Sequence, residues 1–253
     1  MLTNIRSILG QGGKSKVKFL SDLAIQHKAC AVAVTESWLK PEIYDSELTV
    51  NFPGYSLFRS DRKVRAGGGV CVFLREDITG ECLVSYNNGV CSLLLIKLHL
   101  MDVIMAVVYR PPDTRISEFT PVLTEIENCL SKLSTPVPTV LMLGDLNLPS
   151  SVMSWIPIEG QVVPHVLNHR VTEEVNGLQT RLQAKKLCEL CTNFQMTQLV
   201  DKPTHEKEIL DLVFTSNPNT ILNVDMDYFP VFSDHKVLSI NLICGTSEYK
   251  TKT

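Results

Sequence analysis

Seven short apolar runs constrain this chain more than any other feature: Ala29 to Thr35, Gly69 to Leu74, Ser92 to Leu98, Val103 to Tyr109, Thr139 to Leu143, Leu210 to Thr215 and Val237 to Ile243. Each spans five to seven residues, the length of a buried strand and far below the ~20 that cross a bilayer as a helix. Segments of helical period lie between them. Val17, Leu20, Ala24 and His27 recur on one helical face, as do Ile116, Phe119, Leu123, Ile126 and Leu130. A third helix is expected over Leu178 to Phe194. The mixture predicts an α/β protein of two packed sheets flanked by helices. Gly67-Gly68-Gly69 predicts a tight turn before a strand; it lacks the Lys-Ser/Thr of a phosphate loop. The stretch Pro149 to Thr180 has no clear period and is expected to be a long surface loop or irregular insertion.

Bulk properties narrow the function classes. A chain of 253 residues can bury a core without disulfide or metal staples. Neither a membrane span nor a secretory leader is visible, so a soluble, intracellular protein, nuclear or cytoplasmic and without a membrane partner, is expected. Most of the eight cysteines sit in apolar runs, and Cys188 and Cys191 form a lone CxxC with no second ligand pair. These read as core thiols in a reducing compartment, not a zinc site. Net charge is −3, from 24 Lys+Arg against 27 Asp+Glu, which argues against a protein held on nucleic acid by bulk charge alone. A nuclease remains open, because a metal and a few local cations can meet the phosphates. The densest basic stretch is Arg59-Ser60-Asp61-Arg62-Lys63-Val64-Arg65, read either as a solvated loop or as a nucleic-acid contact.

The functional signal lies at the ends of the apolar runs. Ala-Val-Ala-Val-Thr35 runs into Glu36, Val107-Val108 into Tyr109-Arg110, and Val140-Leu141-Met142-Leu143 into Gly144-Asp145-Leu146-Asn147. Asp211 opens Leu212-Val213-Phe214, Ser233-Asp234-His235 precedes Val237, and Asn4 follows Leu2. Gathered at one edge, these residues would form a cluster of carboxylates, amides, a phenol and an imidazole. Such a cluster suits metal-assisted phosphoryl chemistry: Mg²⁺ takes hard oxygen ligands, a carboxylate can take a proton from water, and amide, imidazolium and phenol donors can stabilise phosphoryl charge. Asp145 and Asn147 are two apart and would share a face if the strand continues through them. Asp234, or another carboxylate such as Asp211, could bond the His235 imidazole. Each motif alone has a plainer reading. Gly-Asp-x-Asn is commonly a turn, Ser-Asp a cap, Glu36 a helix-start acid after a Thr35 cap, and Tyr109 a core tyrosine. Their order and spacing as a set carry the functional reading.

Taken in order, Asn4-Ile5-Arg6-Ser7-Ile8, Thr35-Glu36-Ser37-Trp38-Leu39, Gly67-Gly68-Gly69-Val70, Val108-Tyr109-Arg110-Pro111-Pro112, Gly144-Asp145-Leu146-Asn147, Ile209-Leu210-Asp211-Leu212-Val213-Phe214-Thr215 and Ser233-Asp234-His235 resemble the endonuclease/exonuclease/phosphatase superfamily. Gln198-Leu199-Val200, Lys202-Pro203-Thr204 and Leu210-Asp211-Leu212-Val213 resemble, more narrowly, the endonuclease domain of LINE-type (non-LTR) retrotransposons. The resemblance implies a four-layer α/β sandwich over residues 1–245, followed by a polar tail, 246–253. It implies Mg²⁺, with Mn²⁺ as a substitute, bound through Glu36 with support from Asn4. It makes Asp145 the residue that activates water, Asn147 and His235 the holders of the scissile phosphate, Tyr109 a phosphate contact, and Asp211 and Asp234 the acidic partners that orient the histidine. The implied reaction is nicking of target DNA to leave a 3′-hydroxyl that primes reverse transcription. Arg62, Arg65, Arg110, Thr204 and His205 are candidate DNA contacts. Only Met1-Leu2-Thr3 precede Asn4, so a clipped first strand is expected, and the reverse transcriptase that follows in such elements is absent from this sequence. An excised domain, a fragment or a stand-alone protein would each fit. The alternatives are a sibling enzyme (an abasic-site endonuclease, or a phospholipid or inositol phosphatase) and a non-catalytic binding module.

Overall fold

Strand alternation explains why the apolar runs are uninterrupted. In the computed structural model, which describes residues 1–10, 15–62, 67–149, 153–158, 161–166 and 175–243, two six-stranded sheets lie face to face. The first holds β1 (Leu2–Asn4), β2 (Ala31–Thr35), β3 (Tyr55–Ser60), β4 (Val70–Arg75), β13 (Ile221–Asp227) and β14 (Val237–Leu242), in the order β13-β14-β1-β2-β4-β3. The second holds β5 (Gly80–Asn87), β6 (Ser92–Leu98), β7 (Val103–Tyr109), β8 (Thr139–Asp145), β11 (Thr197–Gln198) and β12 (Asp211–Thr215), in the order β11-β12-β8-β7-β6-β5. Helices α1 (Val17–Gln26) and α2 (Asp45–Thr49) cover the outside of the first sheet, and α3 (Ile116–Leu130) and α4 (Val175–Asn193) the outside of the second. The result is the expected four-layer α/β sandwich.

A strand covered on both faces must be apolar at every position. In β7, Ile104, Ala106 and Val108 pack beneath α3 and α4, while Val103, Met105 and Val107 fill the layer between the sheets. In β2, Val32 and Val34 meet Leu20 and Ala24 of α1, while Ala31 and Ala33 face the second sheet. Cys191 lies in the core under α4 with Cys188 packed against it, as expected for core thiols. No helix among the described residues is long and apolar enough to cross a membrane.

Several expectations need correction. The stretch 149–180 is not one irregular loop: β9 (Met153–Ile158) and β10 (Gln161–Val166) pair antiparallel within it, and α4 already begins at Val175. Pro157 and Pro164 obscured that hairpin, because proline argues against a central strand but is tolerated where a strand has a free edge. Strands β3, β5 and β13 were not expected either. β5 and β13 are outlying strands of half-exposed residues, so they lack a continuous apolar run. Arg65 and the tail 246–253 lie outside the described residues.

Candidate active site

Strand direction brings the polar strand ends together. β1 runs parallel to β2, and β7 parallel to β8, so all four end at one edge of the sandwich. β14 is antiparallel to β1, and β12 to β8, so these two begin at that edge. This is why Asn4, Glu36, Tyr109 and Asp145 follow apolar runs while Asp211 and His235 precede them. Alternation then aims the side chains. Leu141 and Leu143 face the layer between the sheets, and so, two further on, does Asp145; Val107 leads likewise to Tyr109, Leu2 to Asn4, and Val213 back to Asp211. Tyr109, Asp145 and Asp211 are direct register partners across three strands.

The two sheets are joined here by the Asn4 amide. Its Nδ2 donates to Asp145 Oδ2 at 2.7 Å and to Glu36 Oε1 at 3.1 Å, while its Oδ1 accepts from the Arg6 amide at 3.1 Å. The Trp38 indole donates to Glu36 Oε2 at 3.0 Å, and the Tyr109 phenol lies in the field of the Glu36 carboxylate. Asn147 N–H donates to Asp145 Oδ1 at 3.0 Å. His235 Nδ1 and Asp211 Oδ2 are 2.8 Å apart, with both residues buried. Ser233 Oγ donates to Asn4 O at 2.6 Å and accepts from the His235 amide, tying the triplet to β1. Asp145, Asp211 and His235 present ligand-type atoms within 4.8 Å of one another.

Charge is concentrated in a dry place. Burial, reinforced by the like charge of Asp211, pushes the Asp145 carboxyl well above the usual range, against the pull of His235 and Asn4. Burial pulls the His235 imidazolium down, but the bond and charge of Asp211 more than offset this and lift it to about 9. Burial and the neighbouring Glu36 and Asp145 charges raise the Tyr109 phenol, which stays protonated at neutral pH.

The loop carrying Glu36 is held by the triglycine turn. Gly67, Gly68 and Gly69 all have positive φ, between 71° and 82°, as the predicted tight turn requires. Their carbonyls accept from the Trp38 amide (2.9 Å, Gly68) and the Ser37 amide (3.2 Å, Gly69). Glu36 and Trp38 themselves adopt φ of 51° and 55°.

Some assignments change. β8 ends at Asp145, and Asn147 turns away with φ 47°. Its proximity to Asp145 therefore comes from a turn, not from strand alternation, and its Nδ2 donates to Arg110 O at 2.9 Å. Asn4 turns an N–H group, not its oxygen, toward the carboxylates, which fits a bridging donor better than a metal ligand. Asp211, not Asp234, bonds His235; Asp234 Oδ2 instead meets Arg6 at 2.7 Å and His205 Nε2 at 3.2 Å. Three candidate DNA contacts are buried. Arg62 lies inward and donates to Val90 O, and Arg59 beside it pairs with Asp61 and Asp45. Thr204 is fully buried, and its Oγ1 accepts from the Leu210 and Asp211 amides. His205 stays partly exposed, its ring centroid 4.6 Å from that of His235.

Arg110 is the most informative of these. It is fully buried, and its guanidinium donates to Leu146 O at 3.1 Å, to Asn147 O at 3.0 Å and to the Gln183 side chain on α4. Burial lowers its pKa to about 10, which leaves it charged. It braces the turn after Asp145 from behind. Arg110→Met is expected to destabilise the protein by on the order of 2 kcal/mol, since buried carbonyls lose their donor; urea unfolding measures this. Trp38 and Arg6 are residues whose roles the sequence does not reveal. They were visible only as members of the motifs around Glu36 and Asn4, because their partners are set by left-handed loop geometry.

Comparison with known proteins places the chain. A family model described as "Endonuclease-reverse transcriptase" matches residues 103–239, more than half of the chain. A search of curated proteins gave no significant match. Among solved structures, the endonuclease domain of TRAS1, a telomere-specific non-LTR retrotransposon, is 17% identical with a TM-score of 0.58, over 95% of this chain and 96% of that one. An AP endonuclease from Archaeoglobus fulgidus is 16% identical, with a TM-score of 0.58 over 95% and 97% of the two chains. The 3′ phosphatase NExo from Neisseria, bound to a product DNA hairpin, is 12% identical, with a TM-score of 0.64 over 96% and 98%. These likenesses establish a shared fold, and with the family match they identify this chain as a member of the endonuclease-reverse transcriptase family, within the endonuclease/exonuclease/phosphatase superfamily.

Proposed function

We propose that this protein is a divalent-metal-dependent DNA endonuclease that nicks one strand of target DNA and leaves a 3′-hydroxyl for reverse transcription. The observation that carries the reading is the convergence of Asn4, Glu36, Asp145 and the Asp211–His235 pair at one sheet edge. The donor set fits a hard cation: Glu36 and Asp145 are joined through one amide, Asp211 lies beside Asp145, and Asp211 Oδ1 is buried with no hydrogen-bond partner. Glu36 and Asp145, with Asp211 behind them, would hold Mg²⁺ or Mn²⁺. Once bound, the ion would supply charge to polarise a phosphoryl oxygen and stabilise the leaving oxygen.

The chain's own residues supply the rest. Asp145, fixed by Asn4 on one oxygen and the Asn147 amide on the other, is set to accept a proton from attacking water. His235 spends Nδ1 on Asp211, leaving Nε2–H to donate to a phosphate oxygen. The Tyr109 phenol is a second neutral donor. Supercoiled plasmid with Mg²⁺ tests the proposal. Open circles should form, their nicks should be extended directly by a DNA polymerase, and EDTA should stop the reaction. Folded protein that leaves plasmid intact with both Mg²⁺ and Mn²⁺, or that turns over only abasic DNA or phosphomonoesters, would remove this reading.

A further inference from the structure

Beside the site, between the first turn of α1 and the segment leading into Ser233-Asp234-His235, lies a cleft of about 890 Å³. Three rings line it, the half-buried Phe19 and Phe229 and the buried Phe232. Phe19 sits 4.3 Å from Phe232 and 5.3 Å, edge-on, from Phe229, centroid to centroid. The mouth carries apolar side chains that the fold leaves uncovered: Val231 is fully exposed and Tyr228 is 55% exposed. A single exposed Val needs no explanation; here it stands with Tyr228 on a short segment, over an aromatic floor, next to catalytic-type residues. Two cations flank the cleft. Lys16 Nζ donates to Ile5 O and lies 5.4 Å above the Phe232 ring, and Arg6 reaches across to Asp234 while its side chain stays 54% exposed. Asp234 lines the cleft and bonds His205, which packs on His235. The cleft is therefore continuous with the candidate active site.

Aromatic faces beside cations match one ligand chemistry well: a flat base joined to a phosphate. A base paired within a duplex cannot present its face to a concave floor, whereas an unstacked one can. We infer that this cleft is a subsite for an unpaired nucleotide of the DNA flanking the scissile phosphate, its base against the Phe19–Phe229–Phe232 floor and Tyr228, and its phosphate beside Arg6 and Lys16. The inference rests on the DNA-nicking reading for its orientation. It does not depend on catalysis for its test.

The test compares the wild-type chain with a Tyr228→Ala/Val231→Asp double variant, whose positions are exposed and outside the catalytic cluster. A short fluorescein-labelled single-stranded oligonucleotide is titrated in EDTA and followed by anisotropy. Affinity should fall about tenfold or more in the variant, since each base–aromatic contact of this kind has an effect of that order. The same oligonucleotide carrying 5-iodouracil, irradiated with the wild-type protein, should crosslink within 228–232. Equal affinity in the two proteins, no binding at all, or crosslinks elsewhere would each overturn the inference. Wild-type dimerisation that the double variant loses while keeping oligonucleotide affinity would assign the patch to a second copy of the chain and also overturn it. Plasmid nicking, measured in parallel with Mg²⁺, reports separately on the endonuclease reading. Nicking with unchanged oligonucleotide binding sinks only the subsite. Cleft-mapped binding without nicking sinks only the catalysis.

Discussion

Nicking by an Asp211→Asn variant is expected to fall by on the order of 10²–10⁴-fold, with the fold intact. The amide is nearly the shape of the carboxylate and can still accept from His235 Nδ1, now 2.8 Å from Asp211 Oδ2. What it removes is the charge. In the wild type, burial opposes the imidazolium and Asp211 overrides that opposition, holding His235 at about 9. Without the carboxylate, burial is opposed only by the Asp145 and Asp234 charges, and His235 should titrate lower than in the wild type. At neutral pH a smaller share of the variant then faces the phosphate with the charged donor. Two measurements check this. NMR of the metal-free proteins should show the His235 titration displaced downward in the variant, and the alkaline limb of its residual activity should move to lower pH. An unchanged nicking rate, or an unchanged titration, would show that Asp211 does not set the charge of His235.

How much of this was legible in sequence depends on what each residue answers to. The buried strands could be read because both faces of β2, β6, β7 and β8 are covered, which forces continuous apolar runs. Strands β5 and β13 escaped because half-exposed edges carry mixed residues. The hairpin of β9 and β10 escaped because its prolines imitate a loop. At the site, Asn4, Tyr109, Asp145 and Asp211 were legible because their strands carry them to the inter-sheet layer by simple alternation. Asn147 illustrates the limit. The same alternation predicts its position, yet the chain leaves β8 at Asp145 and reaches its place through a left-handed residue.

The candidate DNA contacts mark a different boundary. A cationic residue in a loop suggests a phosphate partner, but sequence does not reveal which way a guanidinium turns. Arg110 turned inward because the turn after Asp145 exposes carbonyls of Leu146 and Asn147 to the layer beneath α4, where only a protein donor can reach them. Arg62 turned inward against the triglycine turn, where Gly68 leaves room that a Cβ would fill: one built there would lie 2.8 Å from the guanidinium. Arg6, which pairs with Asp234, and Lys16, whose ammonium donates to Ile5 O, lie next to the site instead; Arg6 stands in the motif that begins at Asn4.

Gly144→Ala is expected to disrupt both the fold and the site. Gly144 is the register partner of Val108 in the parallel pairing of β7 and β8, with φ of 149°. A Cβ built there would lie 1.8 Å from Val108 O, and 2.8 Å from its carbonyl carbon. These are backbone atoms of a central strand, so no rotamer change relieves the overlap; the strands must part or the peptide must rotate. Overpacking that moves backbone costs about 1–3 kcal/mol where side chains can yield, and here the loss should exceed about 3 kcal/mol because they cannot. The site suffers with the fold, since Tyr109 and Asp145 follow Val108 and Gly144 directly and are themselves partners. Asp145 would shift from Asn4, and the amide bridge between the sheets would open. Thermal unfolding should show a fall in Tm of several degrees or more, with nicking lost even at temperatures where the variant remains folded. A variant as stable and as active as the wild type would mean that β7 and β8 do not approach in this way. The glycine of Gly-Asp-x-Asn would then be a turn residue, as that motif reads in isolation, and not the contact that sets Asp145 in place.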